Sequence, residues 1–224
     1  MSSELSAFTA INGIEDVYTA QKGGLRCSAV RLKGGNLCLY SPVLGLGAVA
    51  LESLSNLGEV SHLLAPNHYH HKGIKEFKSV FSKATLCCTS RAMPRLEKQT
   101  DLRFQDLDNA ALHLPDHITL IEPQGLKTGE VWLQVVSNSQ TLWIVTDAFC
   151  GAKGPIGKVV DQPALLGTFP RYGIADLGAY LDWLSCQIEK NKPTMIAPCH
   201  GSLIANNFAG DLALELVKRL ASEK

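Results

Sequence analysis

The chain has 224 residues, with 21 Lys+Arg balanced by 21 Asp+Glu, so no global field draws it to nucleic acid or to anionic lipid. Hydrophobic residues make up 46% and charged residues 19%, which excludes intrinsic disorder and supplies the core of one domain over residues 1–224. Seven cysteines, two of them adjacent at 87 and 88, show no C-x-x-C spacing, which speaks against a disulfide framework or a zinc ribbon.

Residues 1–10 carry neither the basic nor the apolar region of a secretory leader. The longest nearly uncharged apolar stretch, 42–51, falls far short of the roughly 20 residues a membrane helix needs. The expectation is a cytoplasmic protein without a membrane or nucleic-acid partner. Strand-like runs at 14–19, 27–32 and 37–41, with the turn Lys33-Gly34-Gly35-Asn36, predict a meander. Helical spacing over 44–57 stops at Gly58, a strand covers 60–65, and Pro66-Asn67 breaks it. Ile74, Phe77, Val80 and Phe81 predict a helix from Gly73, and 84–88 reads as the next strand. A second strand set spans 118–122, 131–136 and 142–146, with a hairpin turn at 137–140. Helices are predicted over 176–190 and 209–220, flanking a strand at 194–197 that runs into Pro198-Cys199-His200-Gly201.

Four of the seven histidines, His62, His68, His70 and His71, lie within ten residues, and three of these follow a predicted strand directly. A loop that delivers several imidazoles from the end of a rigid strand suits a transition metal, because neutral imidazole is a good ligand for zinc or iron. Taken alone, the cluster reads equally well as a hydrogen-bonded surface loop. Asp147 and His200 shift the balance, since each follows an apolar strand at its C-terminal end. A carboxylate at such an edge needs a cation or hydrogen-bond donors. Taken singly, Asp147 also suits a helix cap and His200 a satisfied turn residue.

The order of strand, histidine loop, helix, strand-Asp and strand-Pro-x-His-Gly resembles the metallo-β-lactamase-like superfamily. The resemblance implies an α/β fold, an αββα sandwich of two mixed sheets flanked by helices, with metal at the sheet edges. The family's first loop, H-x-H-x-D-H-x-G, threads over PNHYHHKG at 66–73. Pro66 then stands in for the first histidine, His68 matches the second, His70 takes the aspartate position, and His71 with Gly73 closes the motif. Asp147 matches the aspartate that bridges two metals, and His200 matches the final histidine. A competing register sets H-x-H on His68 and His70 but discards His71. The middle loop of the family, G-H-T-x-G-like, falls on 125–129, where Leu126 or Lys127 replaces histidine. One metal therefore fits better than two.

The ligand set so implied is His71, Asp147 and His200, with His70 a ligand or a proton relay and His68 a ligand or an outer hydrogen-bonding residue, holding one divalent metal, zinc ahead of iron or manganese. His70 and Asp147 are the expected catalytic residues, and the expected activity is hydrolysis of a small molecule by metal-activated water. The rival reading is a non-catalytic binding or scaffold protein with a degraded site, motivated by Pro66 and Leu126. A third, cysteine chemistry at Cys199 beside His200 or at Cys150 near Asp147, requires side chains that face each other, which neighbours on a strand do not. Lys72, Lys75, Arg91 and Arg95 are either steering charges or a solvated face, and 167–172 is either a lid carrying Phe169, Arg171 and Tyr172 or a connector.

Overall fold

Apolar residues on both faces of the central strands commit these to burial on two sides, and all strands but one separate pair sort into two six-stranded sheets. The computed structural model describes residues 4–138 and 140–222. The first half of the chain runs β1 (Thr9–Ala10), β2 (Val17–Lys22), β3 (Leu25–Arg31), β4 (Leu37–Tyr40), α1 (Ala48–Leu57), β5 (Val60–Leu64), α2 (Ile74–Val80), β6 (Thr85–Cys87), α3 (Met93–Thr100) and α4 (Leu107–Ala111). The second runs β7 (Ile118–Ile121), β8 (Trp132–Ser137), β9 (Gln140–Val145), β10 (Phe149–Cys150), β11 (Val159–Val160), β12 (Ala164–Leu165), α5 (Phe169–Tyr172), α6 (Leu177–Asn191), β13 (Met195–Pro198), β14 (Leu203–Ala205) and α7 (Ala209–Ser222).

One sheet keeps sequence order from β1 to β6, antiparallel through β4 and parallel from β4 to β6. The other has the order β11-β14-β13-β9-β8-β7, with β9 and β13 parallel. Strands β10 and β12 pair separately.

Three apolar layers hold the sheets and helices together. Leu37, Leu39 and Leu63 face Leu54 of α1, Phe77 of α2 and Leu96 of α3 on one outer side. Tyr40 and Leu64 meet Leu133, Leu142 and Ile144 between the sheets. Trp132, Trp143 and Ile196 pack against Leu184 of α6 and Val217 of α7 on the other outer side. Each strand thus alternates between layers: Leu37 and Leu39 point outward while Cys38 and Tyr40 point inward. This is the αββα sandwich expected from the sequence. Truncating one such buried leucine to alanine costs about 2–5 kcal/mol.

Several boundaries move for local reasons. Helix α1 starts at Ala48, after Gly45 and Gly47, rather than at 44. Strand β2 starts at Val17 because Asp16 takes the left-handed conformation, φ 61. The predicted turn at 137–140 has Ser137 paired with Gln140, and Ser139 lies outside the described residues, as do residues 1–3 of the N-terminal reading. Among the described residues no helix is long and apolar enough to cross a membrane.

Candidate metal centre

Four strands end where the chemistry collects. Ser41 follows β4, the loop 66–73 follows β5, Asp147 lies just past β9, and His200 follows β13. Ligand sites in layered α/β folds favour such C-terminal strand ends. Asp147 is the hub: its Oδ1 accepts from His70 Nε2 and from His200 Nε2, each at 3.0 Å. Its Oδ2 accepts from Asn67 Nδ2 at 2.8 Å. The contact between Asn67 and Asp147 joins the two sheets, since one residue follows β5 and the other β9.

Asn67 also shapes the loop. Fully buried, it accepts through Oδ1 from the backbone N–H of Tyr69 at 2.8 Å and of His70 at 3.2 Å. This Asx-type turn tightens the chain directly after the strand. Gly73 closes it where the backbone presses on Pro42 O, leaving no room for a Cβ. Ser41 Oγ lies 2.7 Å from His70 Nδ1 and fixes the ring from its far side. The turn holding His200 is clamped from the first sheet: Arg26 donates to Pro198 O and Gly201 O, and Gln21 Nε2 also donates to Gly201 O. Gly201, at φ 86, packs on Gly151 O so closely that only glycine fits.

The charges follow from these contacts. Burial alone would raise the pKa of Asp147, but hydrogen bonds from His200, His70 and Asn67 hold it well below the usual carboxylate range. Burial opposes a charged His70, yet the Asp147 hydrogen bond, with help from Cys199, holds it up at about 10. Glu130 lies nearby, 2% exposed, with Oε1 accepting from Trp132 Nε1 at 2.7 Å. Burial, then the charge of Asp147, push this carboxyl up, so the anion of the site is Asp147. Burial pulls the Arg26 guanidinium down to about 10, and no carboxylate pairs with it among the described residues.

The structure brings together three of the five candidate ligands. One ligand atom each from His70, Asp147 and His200 lies within 4.8 Å of the others, and they form the one such group among the described residues. His68 and His71, expected beside them, fall outside it. Successive residues of a tight turn point in different directions, so a loop that aims His70 at Asp147 turns its neighbours away. The His68 ring meets Arg95 Nη1 at 3.2 Å, and His71 Nδ1 is buried without a hydrogen-bond partner among the described residues. Cys199 is buried, lines the cleft, and is likewise outside the group. Leu126 is buried, and Thr128 O accepts from the His68 backbone, so the ligand-free loop at 125–129 serves to brace the histidine loop. Sequence reasoning missed Asn67 and Ser41. An asparagine after Pro66 signals an Asx turn, whereas nothing in the sequence marks Ser41.

Two imidazole nitrogens and one carboxylate oxygen are a donor set that fits zinc, iron or manganese. Ser41 and Asn67 supply the outer hydrogen bonds that orient such ligands. The group opens onto a cleft of about 800 Å³.

No protein-family model matches the chain, and no curated protein matches it. Solved structures do resemble it in shape. The metallo-β-lactamase FIM-1 from Pseudomonas aeruginosa, in its mono-zinc form, is 13% identical with a TM-score of 0.62, covering 97% of this chain and 96% of that one. A metallo-β-lactamase from Pontibacter korlensis is 11% identical with a TM-score of 0.60, covering 96% and 99%. A diflavin flavoprotein A 5 fragment from Nostoc sp. PCC 7120, named so provisionally, is 12% identical with a TM-score of 0.64, covering 98% of each chain.

Proposed function

We propose that this chain, which has the metallo-β-lactamase-like fold, is a hydrolase that works with one divalent metal, zinc first, on a small molecule. The observation that carries this reading is the convergence of His70 Nε2, Asp147 Oδ1 and His200 Nε2 at a cleft floor. Three protein ligands leave a tetrahedral metal one open position, the pattern of catalytic rather than structural sites. Bound there, the metal would supply Lewis acidity, lowering the pKa of water from roughly 15.7 toward about 7. The chain's own residues do the rest. His70 and His200 present Nε2, and Ser41 holds the far side of His70. Asn67 keeps Asp147 Oδ2 occupied so that Oδ1 faces the imidazoles. The apolar side chains of Val43 and Phe169 line the cleft and limit water around the reacting groups.

A second reading has its own support. One oxygen of Asp147 accepts from both imidazoles, so the group is also complete without a metal, as a binding or scaffold protein would need. Elemental analysis, together with melting curves with and without a chelator, separates the two. The hydrolase reading expects about one zinc, iron or manganese per chain, a lower Tm in chelator, and turnover of at least one chromogenic lactone, thioester or phosphoester. Metal at background and an unchanged Tm would establish the second reading instead.

A further inference from the structure

The cleft above Asp147 is charged unevenly. Lys22, Lys72 and Arg95 line it, and among the described residues Asp147 is its one acidic lining residue. That acid is already engaged by His70, His200 and Asn67. None of the three cations makes an ion pair among the described residues.

Arg95 is instead braced by two rings. Its guanidinium carbon lies 4.7 Å from the Tyr69 ring centroid, and Nη1 donates to His68 Nε2 at 3.2 Å. A guanidinium has five N–H donors in a fixed fork suited to carboxylate and phosphate, and this one spends few of them on the protein. Lys72, from the same loop as His70, is exposed at the cleft.

An apolar stretch of the wall is formed by Val43, Leu44, Leu166 and Phe169, with Ser41, Thr128 and Thr168 as neutral polar lining. Leu44 and Tyr172 are 52% and 47% exposed at its edge. A volume of about 800 Å³ suits a small organic molecule.

We propose that the cleft binds an amphipathic anion. Its carboxylate or phosphate head sits on Lys72 and Arg95, and its apolar chain or ring lies along Val43, Leu44 and Phe169. Naming this anion the substrate rests on the hydrolase reading; its binding does not.

The test is calorimetric titration of the full chain with octanoate, octyl phosphate and octanamide, first stripped of metal and then loaded with zinc. In the stripped protein both anions bind at least ~10-fold tighter than octanamide, and the tighter of the two identifies the head group. Lys72→Gln with Arg95→Gln abolishes that preference, whereas Lys72→Arg with Arg95→Lys keeps it. Both positions are exposed, so the variants fold, as an unchanged Tm verifies. Equal binding of octanamide, or a preference that survives the double glutamine variant, overturns the proposal. Zinc stoichiometry is read on the same samples. Zinc bound without anion preference defeats this proposal alone, and anion preference without zinc defeats the hydrolase reading alone.

Discussion

Two histidine groups in this molecule invite comparison. His70 and His200 converge on Asp147. His62, on β5 itself, instead donates through Nε2 to Asn109 Oδ1 at 3.2 Å and stands with its ring centroid 5.1 Å from that of His113. Both groups are enclosed by the fold, yet their charges diverge. Burial, only partly offset by Asn109, pushes His62 down, whereas Asp147 holds His70 up at about 10. An amide and a carboxylate are similar in size, so the difference teaches that the charge of the central partner decides which imidazole is held in its protonated form.

Removing that charge should break the contrast most severely. Asp147→Ala is expected to abolish metal binding, read by elemental analysis, and to cost the stripped protein about 3 kcal/mol in urea unfolding, the low end for a broken buried pair. The low end applies because His70 and Asp147 keep 12% and 14% side-chain exposure.

Titration sharpens the comparison next. His70 is raised in the folded state, so its contribution is complete below the ordinary histidine value of about 6.5 and fades as pH climbs through about 10. Asp147 is depressed, so its contribution holds above the ordinary value of 3.8 and fades as pH falls below it. Urea midpoints of stripped protein should therefore drop between pH 7 and pH 10.5 in the wild type, with the part due to this pair absent in Asp147→Ala. Asn67→Ala should act more gently, weakening zinc by about 10–100-fold in competition with a chromogenic chelator. Smallest of all, His62→Gln and His68→Ala should leave zinc stoichiometry unchanged, and His68→Ala should shift stability by no more than about 0.5 kcal/mol.

The layers were legible because periods of two and of three to four residues are written into long elements such as β8, β9, α6 and α7. Strands of two residues, such as β10, β11 and β12, have no period to read. Helix α3 is short and polar, with Leu96 and Thr100 as its buried residues. At the site, Asp147 and His200 could be singled out because each follows a strand. In the histidine loop, adjacency in sequence groups His68, His70 and His71, whereas the Asx turn at Asn67 brings His70 of the three into hydrogen-bond contact with Asp147. Ser41 escaped notice because its partner is 29 residues away, and no local pattern encodes that meeting.

Arg26 ties the identity of the first sheet to the last turn. Its backbone N–H donates to Cys199 O, its side chain grips Pro198 O and Gly201 O, and the Gly201 N–H returns to Gly24 O. His200 therefore reaches its place only when β3 has met the segment after β13. A chain ending before β13 would carry the histidine loop and Asp147 but no means of completing the trio.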